Sequence, residues 1–172
     1  MRSRLSVSQL NKIFVDDLGD EFVLISDIEK KPLLVHAKNH DDVIYKVYIY
    51  NCTNPPGGRT LDECKIQLIL PNQGRGNRGH LDESDGTIIL IVGFAIYDVS
   101  ENGVWVIWET DKHRDFAYSA NLQVKMGSIL DTITNSVFYT KKPGNGEIIV
   151  VADRHHLCEA ISLREKIDLK LI

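Results

Sequence analysis

The feature that most constrains the fold of this chain is a set of short runs of β-branched and aromatic residues. The longest apolar run, TIILIVGFAIY at residues 87–97, is far too short to cross a bilayer and predicts a buried strand. A second run, VIYKVYIY at residues 43–50, has the same character. Because such side chains favour the pleated, half-buried surface of a strand, the sequence predicts a core built on a β-sheet.

A third strand is predicted by the alternation of apolar and polar residues in ECKIQLIL, residues 63–70. Successive side chains of a strand point to opposite faces, so Lys65 and Gln67 should face away from the core. The breaker NPPGG at residues 54–58 separates this strand from the preceding one. Further strands are predicted at residues 22–26, 104–108, 120–124 and 147–152.

Helical spacing marks the first part of the chain, where Ser6 is expected to cap a helix and Gly19 to end it. The apolar residues of this helix are Val7, Leu10, Ile13 and Phe14. Two further helices are predicted over residues 127–138 and 155–161. Many short strands with few helices indicate an α+β, mostly β fold, arranged as a closed or half-closed barrel.

Length and composition limit the class of protein. A chain of 172 residues, 43% hydrophobic and 26% charged, suits one domain at residues 1–172 with a core of its own. Its three cysteines form no CxxC or Cys/His cluster, which argues against a disulfide framework and a structural zinc site. No apolar signal segment opens the sequence, so a cytoplasmic protein without membrane partners is expected.

A magnesium-dependent nuclease is the enzyme alternative. Glu63 and Lys65 form a Glu-x-Lys, and Asp41 and Asp42 lie about twenty residues upstream. In such nucleases carboxylates hold the metal ion while a lysine orients water. Glu-x-Lys also occurs by chance in charged proteins, and the other interpretation is two solvated strand ends. No serine-nucleophile elbow or phosphate-binding loop occurs, so no catalytic residue, metal or cofactor is assigned to the domain itself.

The net charge of −4 does not favour nucleic acid as a partner, but the charge is unevenly distributed. Residues 72–80, NQGRGNRGH, contain two arginines and no carboxylate. Arginine pairs with guanine through two hydrogen bonds, as asparagine or glutamine does with adenine. The candidate DNA-binding residues of this loop are Asn72, Gln73, Arg75, Asn77 and Arg78. The alternative is a mobile, solvent-exposed loop without such a role.

A second polar segment, ETDKHRDFAYSANLQV, follows the strand at residues 104–108. Its candidates for contacts with phosphates or bases are Lys112, His113, Arg114, Ser119, Asn121 and Gln123. The alternative is a surface crossover in which Asp111 and Asp115 neutralise the basic side chains.

These segments carry a resemblance to a known family. The pattern YNCTNPPGGRTLDECKIQLILP, then LIVGF, then VWVIW with DKHRDFAYSANLQV, and finally GNGEIIVVA resembles a methylase-associated domain of bacterial restriction–modification systems, over residues 43–161. That domain is similar in type to the plant-type pseudobarrel DNA-binding domains of EcoRII-like and BfiI-like restriction endonucleases.

The resemblance implies a seven-stranded open pseudobarrel at residues 43–161, preceded by a helix and a strand at residues 1–40, with short helices at the barrel ends. Two arms of such a barrel grip the major groove. One arm would carry Arg59, Lys65, Gln67, Arg75 and Arg78, and the other Lys112, His113, Ser119, Asn121 and Gln123. The implied function is sequence-specific binding of double-stranded DNA, as the recognition module or subunit of a restriction endonuclease in phage defence.

The protein partners expected from this resemblance are nuclease, helicase or methyltransferase subunits. A protein-interaction barrel whose edge strands dock a partner is the alternative that does not involve nucleic acid. DNA binding requires that the two polar segments, far apart in sequence, converge on one face of the fold.

Overall fold

The computed structural model describes residues 4–54, 62–98 and 102–172. These residues are mostly in strands and helices. The helices are α1 (Val7–Leu18), α2 (Met126–Asn135) and α3 (Leu157–Asp168). The strands are β1 (Phe22–Leu24), β2 (Leu33–Ala37), β3 (His40–Cys52), β4 (Glu63–Leu68), β5 (Gly79–His80), β6 (Ile88–Ile96), β7 (Gly103–Trp108), β8 (Asp115–Phe116), β9 (Ala120–Lys125), β10 (Val137–Lys141) and β11 (Ile148–Asp153).

Seven strands form the main sheet, in the order β1-β2-β3-β6-β7-β11-β10. Neighbouring strands are antiparallel except β3 and β6, which run parallel with Tyr45 opposite Ile88 and Cys52 opposite Ala95. A parallel pair needs a crossover connection, which here contains β4 and β5. The mostly β class, the seven strands and the few helices confirm the predicted fold class. The sheet itself is open, with β1 and β10 at its edges, and does not close into a barrel.

Each face of the sheet is covered and has its own hydrophobic core. On one face α1 and α3 pack against residues that include Leu90 and Trp105. On the other face α2 and the two-stranded ladder of β4 and β9 pack against residues that include Ile91 and Trp108. A strand buried on both faces is apolar throughout, which explains why residues 87–97 form a continuous apolar run.

The first helix has the predicted caps. Ser6 Oγ accepts a hydrogen bond from the backbone N–H of Gln9 at 3.2 Å, and Gln9 Oε1 accepts one from the N–H of Ser6 at 2.8 Å. This reciprocal capping box satisfies two of the free donors at the helix start. Gly19 follows the last turn with a φ of 63°, a conformation that favours glycine. Helix α1 thus has the bounds that its sequence predicts.

The two later helices have other bounds than predicted. The helix expected over residues 127–138 ends at Asn135, because Ser136 has a φ of 48° and Val137 begins β10. The helix expected over residues 155–161 begins at Leu157 and continues to Asp168. Its extra turns bury Arg164, whose guanidinium donates to the Ile148 carbonyl and to Asp168. In the sequence, a buried arginine cannot be distinguished from a solvent-facing one. The apolar pattern therefore predicts that the helix ends before Arg164.

Among the helices of the described ranges, none has the length and apolar character required to cross a membrane.

Candidate nucleic-acid interface

The ladder of β4 and β9 brings Lys65 and Gln67 beside the end of the second polar segment. The strands are antiparallel, with Lys65 opposite Gln123 and Gln67 opposite Asn121. Alternate residues of both strands, among them Ile66, are buried against the sheet, as the alternation at residues 63–70 predicts. The remaining side chains face away from the core on one surface, which we call the amide face. Its residues are Lys65, Gln67, Asn121 and Gln123 of the strands and Ser119 just before β9, and Glu63 and Lys125 continue the same surface at one end.

Weak contacts join the side chains of the amide face. Lys65 Nζ donates to Asn121 Oδ1 at 3.3 Å, and Gln67 Nε2 donates to Ser119 Oγ at 3.5 Å. Both contacts are exposed and near the long limit for a hydrogen bond, so little free energy is lost when a ligand replaces them. These contacts orient the amides while leaving them available to a ligand.

One end of the ladder carries an ion-pair cluster of one lysine and two carboxylates. Lys125 Nζ lies 2.9 Å from Glu63 Oε1 and 3.5 Å from Asp62 Oδ2. The hydrogen bond to Glu63 raises the pKa of Lys125 above its ordinary value, and the charge of Asp62 adds to the shift. Lys65, two residues along β4 from Glu63, has no ion pair with any described residue. The positive charge available on the amide face is therefore that of Lys65.

Gln73 attaches the arginine-containing loop to the strand that leads into β9. Its Oε1 accepts from the N–H of Leu70 at 3.1 Å, while its Nε2 donates at 2.7 Å to the carbonyls of Asn77 and Tyr118. Both ends of the amide are occupied within the protein. The structure gives Gln73 a role in positioning the loop, and its predicted contact with DNA stays a prediction.

The other candidate residues of the loop are exposed. Asn72 has a φ of 61°, which asparagine tolerates better than most residues, and Asn77 N–H closes a turn onto the Gly74 carbonyl at 2.9 Å. Arg75 and Arg78 form no ion pair with a described residue. The Gln73 contacts tie the loop that carries these two cations to the end of the ladder.

The basic cluster before β8 does not share this surface. His113 Nε2 lies 2.5 Å from Oε2 of Glu147, a residue that is 1% exposed. Arg114 is paired with Asp111 at 2.6 Å and with Glu83 at 2.7 Å. These residues were predicted as DNA contacts, and the structure gives both of them carboxylate partners within the protein.

Lys112 belongs to the same cluster. Its Nζ donates to the Asn145 carbonyl at 3.3 Å, in the turn between β10 and β11. Asp111 pairs with Arg114 as the alternative interpretation expected, but Asp115 pairs with His80 instead. Ser119, Asn121 and Gln123 of the same segment join the amide face. The remaining candidate, Arg59, lies outside the described residues.

The proposed nuclease residues are far apart. Thr53, just after β3, forms a β-bridge with Lys65, whereas Asp42 stands near the opposite end of the same strand. Eleven residues of strand span about 35 Å, so Asp42 cannot share one metal ion with Glu63 and Lys65. Within the described ranges, no group of three His, Cys, Asp or Glu side chains is placed to hold a metal ion. The separation of Asp42 from Glu63 and Lys65 therefore excludes these three residues as one catalytic centre.

Sequence reasoning missed two cations next to the ladder. Arg4 and Lys31 line a cavity with Lys65 and Gln67, at the edge of the amide face. Arg4 belongs to the basic opening MRSR, which was a usable signal. Nothing near Lys31 in the sequence indicates that it lines the same cavity as residues of β4, because this arrangement arises only when the chain folds.

The structural class of this protein is a mostly β fold, in which an open sheet carries a polar two-stranded ladder on one face. The family model named Methylase-associated X1 matches residues 43–161, and the chain belongs to this family. The resemblance stated from the motifs is thereby confirmed, and with it a restriction–modification context. A search of curated proteins and a search of solved structures each found no match to this chain.

Proposed function

We propose that this chain binds double-stranded DNA through the amide face and reads base edges in the major groove. The major groove is about 12 Å wide and admits a two-stranded β-ribbon. The ladder of β4 and β9 is such a ribbon, since its inner side is buried on the sheet and its outer side is free. Each of its strands presents polar side chains at every second residue.

The observation that carries this proposal is the cross-strand register. Gln67 and Asn121 are directly opposite each other, as are Lys65 and Gln123. The carboxamides of Gln67, Asn121 and Gln123 give donors and acceptors for neighbouring base pairs. A carboxamide pairs with adenine through two hydrogen bonds. A surface crossover without function does not require outward amides on both strands at matching positions.

The nearby cations have a different role in this proposal. Lys65 and the loop residues Arg75 and Arg78 contact phosphates and set the position of the ribbon, while an arginine that reaches a guanine adds base reading. Phosphate contacts are local and are screened within about 10 Å at moderate salt. The net charge of −4 is therefore compatible with a local DNA surface, at which the carboxylates of Glu63 and Asp62 are held by Lys125.

In the restriction–modification context, the proposed role of the chain is the recognition module or subunit of a restriction endonuclease. Residues 1–172 act as one recognition domain in this proposal, and cleavage or modification belongs to a partner nuclease, helicase or methyltransferase subunit. Tight binding to such a subunit together with indifference to DNA would favour the protein-interaction alternative.

The test is selection of duplexes from a random pool, followed by fluorescence polarisation with the selected duplex. Asn121→Ala and Gln67→Ala should each weaken binding by about 1–3 kcal/mol and relax the preference at one or two base pairs, because each removes a bidentate contact. Asn39→Ala is the matched control. Asn39 is exposed in the turn between β2 and β3, at the opposite end of β3 from the ladder.

The control should bind like the unchanged protein. Folded protein that binds no duplex better than random DNA at low salt would contradict sequence-specific recognition. Equal affinities of the Asn121→Ala and Asn39→Ala variants would contradict the assignment to the amide face.

A further inference from the structure

A basic cavity adjoins the amide face. It has a volume of about 250 Å³ and lies between the segment before α1, the turn before β2, the end of β3 and the outer edge of β4. The described residues that line it include three cations, Arg4, Lys31 and Lys65, and none of these described residues is a carboxylate. The excess of positive charge in a concave site indicates an anionic ligand.

Lys31 is the least solvated of the three cations. Its Nζ lies 3.5 Å from the centre of the Tyr50 ring, and it forms no ion pair with a described residue. Burial lowers the pKa of Lys31 to about 8. A half-buried ammonium group without a carboxylate is costly in the free protein. A bound anion would give the ammonium group of Lys31 a negatively charged partner.

Buried amides hold the segments that carry these cations. Asn11, which is 2% exposed, donates from Nδ2 to the carbonyls of Ile28 and Lys30, both at 2.8 Å. Asn51 accepts from the N–H of Leu5 at 3.0 Å and donates to the Leu5 carbonyl at 2.8 Å. The residues next to Arg4 and Lys31 are therefore fixed before any ligand arrives, which reduces the entropy lost on binding.

Tyr50 completes the wall of the cavity. Its hydroxyl donates to the Ile69 carbonyl at 2.9 Å, so the ring that supports Lys31 has a fixed orientation. Burial raises the pKa of this phenol far above its ordinary value, and it stays neutral at any physiological pH. Among the described residues, the charged groups that line the cavity with Lys31 are Arg4 and Lys65, both positive.

We propose that this cavity binds a phosphoryl group, held by Lys31 and Arg4 with Lys65 shared between the cavity and the amide face. Naming its source as a backbone phosphate of bound DNA rests on the function proposed above. A ribbon in the major groove is flanked by the two phosphate backbones, and the cavity opens beside β4, at the edge of the ribbon. The phosphate contact would fix the register of the amides on the bases.

The first experiment uses sulfate, a tetrahedral anion whose charge does not change between pH 6 and pH 10. The pH titration of the Lys31 Cε resonance is followed by NMR in ¹³C-labelled protein, with and without sulfate. Sulfate should raise the titration midpoint of Lys31, because a neighbouring anion favours the ammonium form. The Cε resonance of Lys30, which is exposed on the same turn, should not respond.

The second experiment measures duplex affinity against salt concentration and pH. Lys31→Met should reduce the slope of log K against log salt by about 1, equally for selected and random duplexes, because one phosphate contact is lost. Between pH 7 and pH 9 the unchanged protein should lose up to about tenfold in affinity as a lysine with a pKa near 8 loses its proton. Lys31→Met should show no such loss, and Lys30→Met should behave like the unchanged protein.

The two proposals fail in different ways. If duplexes bind while sulfate leaves the Lys31 midpoint unchanged and Lys31→Met keeps the full salt slope, the phosphate cavity is wrong and DNA recognition stands. If sulfate shifts Lys31 and no duplex binds, the phosphoryl site stands and its source is a free phosphate compound, which contradicts DNA recognition.

Discussion

Asp17 links parts of the chain that are far apart in sequence. Its Oδ2 accepts hydrogen bonds from Trp105 Nε1 at 2.8 Å and from Arg154 Nε at 2.9 Å, and its Oδ1 accepts from Arg154 Nη2 at 3.0 Å. The Asp17 side chain is 9% exposed, and Trp105 is fully buried. A single carboxylate at the end of α1 thus connects this helix to β7 and to the turn after β11.

Asp17→Ala should therefore lower the free energy of unfolding by about 2–3 kcal/mol, since it leaves a buried indole N–H without its acceptor and removes the partner of Arg154. Urea denaturation followed by tryptophan fluorescence measures the change. Asp16→Ala is the matched control, because Asp16 is exposed on the same turn of the helix. It should change the unfolding free energy by no more than about 0.5 kcal/mol. Equal effects of the two substitutions would show that the Asp17 contacts contribute nothing specific.

At the scale of elements, Gly93 sets the distance between the ladder and the main sheet. A Cβ added at this position of β6 would lie 2.8 Å from Cζ3 of Trp108 and 2.9 Å from Cγ2 of Ile66. Ile66 belongs to β4, so the missing side chain is what allows the ladder to pack closely on the sheet. The amide face is held in place by this packing, together with the other buried side chains of β4 and β9.

Gly93→Ala should destabilise the protein by about 1–3 kcal/mol, the usual cost of overpacking a buried site. Gly127→Ala is the matched control, because a Cβ there would have no atom within 4 Å and the backbone of α2 suits alanine. The control should be neutral or stabilising by up to about 1 kcal/mol. Thermal denaturation followed by circular dichroism compares the stabilities of the two variants. If Gly93→Ala left the stability unchanged, the ladder and the sheet would have room to move apart.

Several elements could be predicted from local patterns. The caps of α1, the apolar strands β3 and β6, and the outward direction of Lys65 and Gln67 all follow from residue type and period. The pairing of these elements could not be predicted, since alternation does not say which strand lies beside which. The parallel contact of β3 with β6 and the departure of β4 from the main sheet depend on packing across the whole chain.

The same limit applies to the site. Asn121 and Gln123 were correctly expected to be polar side chains of a strand, but only the register with β4 makes them one surface with Lys65 and Gln67. The partners of Gln73 and His113 lie 45 and 34 residues away in sequence. Base-reading residue types are indistinguishable in sequence from the same types engaged in such long-range contacts.

At the scale of the whole molecule, the basic side chains divide into a group paired with carboxylates and a group without such partners. The acidic partners of Arg114 and His113 lie around the ends of β6 and β7 and the start of β11, whereas no described residue that lines the cavity beside β4 is a carboxylate. This separation allows a chain of net charge −4 to present a local positive surface to a polyanion.

The most direct test of the amide face as the DNA surface is an NMR titration with the selected duplex, observing side-chain amides. The proposed geometry predicts shifts at the carboxamide groups of Gln67, Asn121 and Gln123, together with the Nε of Arg75 and Arg78. The carboxamide of Asn39 should not move. Shifts confined to other elements, such as α2, β10 or the end of α3, with the Gln67 and Asn121 amides unchanged, would contradict the claim that this ribbon enters the groove.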